Sequence, residues 1–527
     1  MIVGSYMKSL LRNTITFIRN NPKVDIAFVL LALGVFATIA FFNITRASIW
    51  FDEAFSAYII QFNFLEIAQY TAADVHPPFY YWVLKVWTML FGTTEVAVRS
   101  MSVFFGGVVI VLAWLLARRL FGRLIASVTL LFLVISPMFI RYSDEARMYT
   151  LAATIIFIAT HVLLKAVETN KRSTWVVYGL LVGLGMWTHY FTALAWLAHW
   201  VWRAIVIRRG LTKPKTFLPK FFTKNWIIAH VVAIAFYLPW LPFMALQLGG
   251  IQGQGFWISP ISADSFTNYF TNYFYYLEHG QVLGWWALAL VFVLVTIAVL
   301  SVRTYKSFNR ENKRNYLLVA VIAFAPGILL FLASLPPLTS SYVERYLFPA
   351  SIGLTIFIAA TIVVGSRKWR PVLRIGLVAL VCGMMVYGIT NVYYFGNYNK
   401  NSNQHILTRE VVEDIQSKAK PGEPIIANSP WVFYEAVFYS TDEHPVYFID
   451  KDTEYYFGSL DMLKYNDKHK IKDIDAFMKQ HPTVWYIGNS GGELEPAESN
   501  WKKIQEVTAT SPVNGATLYR ATQFTIN

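Results

Sequence analysis

Five short segments hold the side chains that could move protons or bind anions in this 527-residue chain. "IWFDEAFSAY" (49–58) sets Asp52 beside Glu53, and "ADVHPPFYYW" (73–82) carries Asp74 and His76. "YSDEARMYT" (142–150) holds Asp144, Glu145, Arg147 and Tyr149; "THYF" (188–191) holds His189 and Tyr190; "SSYVERYLFP" (340–349) holds Glu344, Arg345 and Tyr346. A positioned carboxylate can take a proton from a hydroxyl, and a guanidinium fork suits phosphate oxygens better than an ammonium does. Neighbouring residues on a helix point about 100° apart, so only one of Asp52 and Glu53 can aim squarely into a cavity, leaving the other to orient a neighbour.

Each segment alone has a plain structural reading. Asp52 and Glu53 read as a helix cap with its first-turn acid, His76 as the brace of a turn before two prolines, and His189 as a polar anchor at the membrane interface. Arg345 beside Glu344 reads as an exposed pair of little worth. A functional reading needs all of them on one side of one membrane, which the rest of the chain must arrange.

The composition supplies that membrane. Hydrophobic residues make up 56% of the chain and charged ones 14%, with a mean hydropathy of +0.43, which marks a polytopic membrane protein. Apolar runs long enough to cross about 30 Å of hydrocarbon are predicted near 24–45, 95–117, 124–140, 149–166, 174–190, 191–207, 226–246, 283–303, 315–335, 347–365 and 371–390, about eleven helices. The first is expected to be a retained anchor with a cytoplasmic N-terminus. The single cysteine, Cys382, lies in an apolar run, so neither a disulfide framework nor a cysteine metal site is expected.

Charge tests the layout independently. Residues 1–390 hold 32 basic and 13 acidic side chains, and residues 391–527 hold 13 and 18. With the N-terminus inside, 26 of those 32 cations fall in cytoplasmic loops, which follows the insertion bias and argues against nucleic acid as a partner. The six that remain are Arg46, Lys85, Arg99, Arg141, Arg147 and Arg345. All five segments above then face the outside of the cell membrane. Between Asp52 and Glu95 the chain is amphipathic and expected to lie along the interface. "LGGIQGQGFWISP" reads as a mobile outer loop, followed by an interfacial aromatic helix, "NYFTNYFYYLEHG".

Two domains are expected: a membrane domain over 1–390, and an exported α/β domain over 391–527 whose strands include "EPIIANS", "HPVYFID" and "PTVWYIGN". The tail shows no phosphate-cradling glycine loop, and "GNSGGE" is too weak a signal for one.

The ordered series "DE" after the first helix, "HPPFYYW", "DEARMYTL", "THY" and "ERYLFP" resembles the GT-C glycosyltransferases that use polyprenyl-phosphate sugars. More narrowly, it resembles the dolichyl-phosphate-mannose-protein mannosyltransferase family and its aminoarabinose-transferase relatives. The resemblance covers about the first 350 residues, and it implies a membrane enzyme that moves a hexosyl or pentosyl group from a polyprenyl-phosphate donor to an extracytoplasmic lipid, glycan or protein acceptor, with inversion. By position, Asp52 matches the catalytic carboxylate, and Glu53 completes the catalytic pair. Glu145, Arg147 and Tyr149 match a recurring "EARxY" element, and Arg345 matches the donor-phosphate arginine. His76, Asp144, His189, Tyr190, Glu344 and Tyr346 are expected to line the donor and substrate site. His76 stands where some relatives carry lysine. The aminoarabinose branch can hold a divalent cation, for which Asp74 and His76 are the candidates here; no other cofactor is implied.

Other classes make different demands. A secondary transporter would place ionisable residues at the membrane midplane in pseudo-symmetric halves, and a tethered sensor would need only one or two helices. An oligosaccharyltransferase would present a tryptophan-rich acceptor motif, which "NSPWVFYE" does not match.

Overall fold

A computed structural model describes residues 22–526 apart from 43, 211–213, 255–257, 263, 278–283, 396–405, 450–461, 464–467, 490–493, 495–496, 498–499 and 512–514. The basic N-terminal stretch before residue 22, the end of the aromatic segment at 278–280 and most of "GNSGGE" therefore lie outside the described residues.

A helix stands at each of the eleven apolar runs. In chain order the membrane part contains α1 (Pro22–Phe42), α2 (Phe51–Ile59), α3 (Phe64–Ala72), α4 (Phe79–Phe91), α5 (Glu95–Phe121), α6 (Arg123–Val134), α7 (Pro137–Ser143), α8 (Tyr149–Thr169), α9 (Arg172–Thr188) and α10 (Thr192–Arg209). It continues with α11 (Phe217–Phe221), α12 (Lys224–Tyr237), α13 (Leu241–Gln254), α14 (Asp264–Phe274), α15 (Trp286–Ser307), α16 (Arg310–Ala333), α17 (Phe348–Gly365) and α18 (Pro371–Thr390). Among the described residues eight helical stretches are long and apolar enough to cross a membrane, or nine if α6 and α7, bent by 62°, form one span. The chain is a multi-pass membrane protein. α9 has only 17 residues and α10 carries Arg203, Arg208 and Arg209, so this hairpin falls short by length and charge.

Sequence explains the departures from the expected layout. The run 124–140 is interrupted because Pro137 starts a new helix, with the Ser136 hydroxyl accepting from the Phe139 amide. The glycine-rich stretch expected as a loop is helical up to Gln254, while 255–257 lie outside the described residues. Glycine still supplies its backbone N–H to a helix, and Gly249 and Gly250 face open space. α2, α3 and α4, of 9, 9 and 13 residues, are too short to cross and fill the stretch between the first two spans, as their amphipathic sequence predicts.

α17 is buried along nearly its whole length and forms the centre of the bundle, whereas α1, α15 and α18 turn Leu30, Leu288 and Ile375 outward, as lipid-facing helices do. Small residues allow the closest approaches. A side chain at Gly179 of α9 would collide with the Ala229 carbonyl oxygen of α12, and one at Gly365 of α17 would lie 2.8 Å from that of Leu300 in α15. At the α1 N-terminus Asp25 pairs with Arg118 at 2.5 Å and with Arg123, fixing three helix ends on one membrane face.

The C-terminal part is a small α/β domain. Its sheet has the order β3-β2-β1-β4-β6-β5, with β1 (Ile425–Ala427), β2 (Val446–Ile449), β3 (Lys470–Ile471) and β4 (Thr483–Gly488) parallel. β6 (Thr517–Ile526) runs antiparallel between β4 and β5 (Trp501–Thr510). α19 (Thr408–Lys418), α20 (Pro430–Tyr439) and α21 (Ile474–Gln480) complete it.

Candidate active site

α2 is built to present two carboxylates differently. Its N-cap, Trp50, is extended, and Glu53 at the third helical position accepts from the Trp50 amide at 3.4 Å. The Glu53 carboxylate is buried and enclosed by donors. Arg99 reaches it from the first turns of α5 with two parallel bonds, Nε to Oε1 at 2.8 Å and Nη2 to Oε2 at 2.6 Å, and the Ala146 amide adds 2.8 Å to Oε1. Arg99 spends its remaining protons on the carbonyls of Ile44 (2.6 Å), Ala47 (3.0 Å) and Ser48 (3.2 Å). This pair therefore staples three segments together: the 44–48 loop, the start of α2, and the 144–148 turn.

Asp52 points the other way. Its side chain is 22% exposed against 2% for Glu53, which makes it the member of the pair that a substrate can reach. Its Oδ2 lies 3.3 Å from Arg345 Nη1 and 3.8 Å from Arg147 Nε. Arg147 is held by the Asp52 carbonyl (3.2 Å), the Ser56 hydroxyl (3.3 Å) and the Tyr81 hydroxyl (3.4 Å), while its Nη2 lies 3.3 Å from His76 Nε2. His76 Nδ1 is in turn 3.1 Å from Asp74. Segments up to 293 residues apart thus meet in one file, Asp74, His76, Arg147, Asp52 and Arg345.

Aromatic rings frame this file. The Arg345 guanidinium lies 5.8 Å from the centre of the Trp50 ring. The His189 ring stands 6.2 Å from His76, 6.1 Å from Tyr149 and 5.3 Å from Tyr346, which stacks on Phe191 at 4.0 Å. Glu145 gives one oxygen to Arg141 at 2.6 Å, and its other buried oxygen has no hydrogen-bond partner among the described residues. Burial raises the Glu145 carboxyl, and it pushes Asp144, the residue that follows α7, up to about 7 against the opposing charges of Arg141 and Arg99.

Two further expected residues, Tyr190 and Glu344, make contacts away from the file. The Tyr190 hydroxyl donates to Gln247 at 2.5 Å and accepts from Trp240 at 2.8 Å, tying the α9–α10 turn to α13. Glu344 sits half-buried beside Tyr342. Arg99, Ser56 and Tyr81 belong to the site although their sequence context did not single them out for it. Arg99 carried the best signal, since an arginine in the first turns of an apolar span has to find a partner.

Asp74 and His76 do not fit a divalent cation. Among the described residues no third histidine, cysteine or carboxylate groups with them, and the ring nitrogen that Asp74 leaves open faces the Arg147 guanidinium, which would repel a metal. They fit a hydrogen-bonded pair that orients Arg147.

The C-terminal domain packs directly on the helix that carries Asp52. Phe51 meets Trp431 and Tyr434 of α20 at 6.0 and 5.9 Å, Tyr58 meets Tyr434 at 5.1 Å, and the Ile49 amide donates to the Tyr439 hydroxyl at 2.6 Å. Glu435 is buried in this contact, accepting from the Thr408 hydroxyl at 2.5 Å, the Tyr519 hydroxyl at 3.2 Å and the Phe51 amide. Burial pushes its carboxyl up to about 7 despite these donors. A folded-state value above the unfolded one makes Glu435 most favourable at low pH. Its contribution declines as pH rises from the ordinary carboxyl range towards 7 and is gone above that, a change on the order of 3 kcal/mol at most. Melting curves of wild type and Glu435→Gln should therefore diverge over that window, with the glutamine variant the more stable on the alkaline side. Parallel pH profiles would remove Glu435 from this role.

Comparison with known proteins finds similarity in part of the sequence and in the fold. Residues 75–242 match the family model described as dolichyl-phosphate-mannose-protein mannosyltransferase. The undecaprenyl phosphate-alpha-4-amino-4-deoxy-L-arabinose arabinosyl transferase of Pseudomonas savastanoi pv. phaseolicola is 24% identical over 301 residues, 56% of this chain and 52% of that protein. The Serratia proteamaculans protein of the same name is 29% identical over 217 residues, 40% of this chain and 38% of its own. The alignments thus span about half or less of these relatives' length. Among solved structures, ArnT from Cupriavidus metallidurans bound to undecaprenyl phosphate superposes with a TM-score of 0.59 at 15% identity, covering 94% of this chain and 98% of that one. In its fold the chain is similar to that ArnT structure, and over residues 75–242 it is similar to the dolichyl-phosphate-mannose-protein mannosyltransferase family.

Proposed function

We propose that this protein is a membrane glycosyltransferase that moves a sugar from a polyprenyl-phosphate donor to a hydroxyl or comparable acceptor outside the cell membrane, with inversion at the anomeric carbon. The reading rests on one observation: a reachable carboxylate, Asp52, flanked by the guanidinium groups of buried Arg147 and half-buried Arg345. Asp52 takes the acceptor proton as the acceptor oxygen bonds to the anomeric carbon from the face opposite the phosphate. The anomeric carbon–oxygen bond to phosphate breaks, and a polyprenyl monophosphate departs with the bonding electrons. Arg147 and Arg345 neutralise the charge that grows on it. Phosphate leaves without protonation, so the second carboxylic acid of a glycoside hydrolase is not needed. Glu53 acts as a positioning residue through Arg99, and Asp74 acts through His76 on Arg147.

In this reading the chain divides near residue 390 into a membrane domain and an exported domain. The face bearing Asp25 is cytoplasmic, and the membrane is the cell membrane. The bias of basic loops towards that face supports the orientation. The names of the relatives make an undecaprenyl-phosphate aminoarabinose donor the first to test. The purified protein, offered a panel of polyprenyl-phosphate sugars with a lipid or glycan acceptor, should consume one donor and release polyprenyl monophosphate, read by mass spectrometry. Solute flux in proteoliposomes with no donor consumed would overturn the reading.

A further inference from the structure

On the membrane face opposite Asp52, helix ends enclose a second site. α10 starts beside His189 and runs 18 residues to Arg209, about 27 Å of helix. There it packs on α16, and the Trp202 indole donates to the Arg314 carbonyl at 3.2 Å. The Asp25 clamp is on the same face, since Phe121 at the end of α5 stacks on Phe308 at 6.0 Å. Between α10 and the α15–α16 turn lies a cavity of about 830 Å³ whose lining includes Arg209, Tyr305, Arg310, Lys313, Arg314 and a single carboxylate, Glu311.

We propose that this cavity binds a phosphate group presented at the membrane surface. Insertion bias accounts for cations in the loops of this face, but not for four of them converging on one walled space with a single acid. Among the described residues, no carboxylate pairs with Arg209, Arg310, Lys313 or Arg314. Tyr305 organises two of them: its hydroxyl accepts from Arg209, and its ring lies 5.3 Å from the Arg209 guanidinium and 5.4 Å from Lys313 Nζ. Arg314 Nε is buried without a hydrogen-bond partner among the described residues. α16 adds its N-terminus, capped by Asn309, whose side chain accepts from the Asn312 amide at 2.8 Å. Like charges held this close repel, and an anion with several acceptor oxygens relieves the repulsion while satisfying the forks. The volume suits a ligand larger than a bare ion. Both an anionic phospholipid headgroup and a soluble phosphate compound supply this chemistry, and basic pockets between helix ends on this side of a membrane are suited to the former.

The test uses the full chain in detergent, followed by native mass spectrometry with cardiolipin, phosphatidylglycerol or phosphatidylcholine, and by thermal shift with pyrophosphate. Wild type should retain the anionic lipids about tenfold over phosphatidylcholine, and R310Q/K313Q/R314Q should lose that preference. A pyrophosphate shift abolished by the same substitutions, with no lipid preference, would assign the site to a soluble phosphate. Should the triple variant not fold, R310Q alone, at an exposed position, should weaken retention several-fold. R303Q/K306Q removes two exposed cations outside the cavity lining and should leave retention unchanged. An equal loss in that control, or retention by the triple variant equal to wild type, overturns the proposal.

Discussion

Replacing Asp52 with asparagine should lower turnover of the donor about a thousandfold while leaving insertion and melting temperature close to wild type. Asparagine keeps the shape of the side chain and an oxygen that can accept from Arg345, so the file of side chains has no steric reason to move. What disappears is the acceptor of the proton released when the nucleophile attacks, together with the negative charge that keeps Arg147 and Arg345 in place when no donor is bound. Asp52 is itself partly exposed, so the asparagine amide stays within reach of solvent, in contrast to substitutions at the buried Glu53. Single-turnover consumption of the cognate donor by purified variant measures the chemistry without product release. A rate within tenfold of wild type would remove Asp52 from the base role, whatever the outcome for the arginines. Asp74→Asn gives the internal comparison: it acts two steps away, through His76 and Arg147, and should cost far less.

Sequence revealed this site to the extent that its residues were anomalous where they stood. Asp52, Arg147 and Arg345 were conspicuous because ionisable groups at the edge of apolar runs need a reason to be there, and the charge bias of the loops assigned them to one side before any contact was known. Partner choice was not legible. Nothing in the string "DE" says that Glu53 turns to Arg99 while Asp52 turns to Arg345, because helical geometry fixes the angle between them but not what waits in each direction. Tyr190 and Tyr81 sit in equally ring-rich segments, and only packing sends the first to Gln247 and the second to Arg147. In the C-terminal domain β1, β2 and β4 were readable as short β-rich runs, but the two-residue β3 and α20 were not, since "PWVFYEAVFY" is as apolar as a buried strand. Its helix is signalled only by the Ser429 cap and Pro430 at the first position. That omission mattered, because α20 is the element that seats the domain on α2.

The Glu53–Arg99 pair should show the largest effect on stability. Arg99→Met leaves the Glu53 carboxylate buried with only two backbone amides, and strips three loop carbonyls of their donor. Breaking a buried pair by removing one partner typically costs about 3–5 kcal/mol, whereas removing both charges together costs much less. The double variant Arg99→Met with Glu53→Gln should accordingly recover a large part of the loss in a detergent unfolding titration. Lysine at 99 should rescue poorly, because a single ammonium cannot span both carboxylate oxygens and the three carbonyls at once. Stability alone would describe any buried pair, so the discriminating measurement is kinetic. If the staple sets the start of α2, the folded fraction of the double variant should retain its apparent donor KM within a few-fold, since Arg147 and Arg345 remain, but lose kcat as Asp52 drifts from its position. A double variant as unstable as Arg99→Met would show that the two charges are not coupled, and an unchanged kcat would confine the pair to holding the fold.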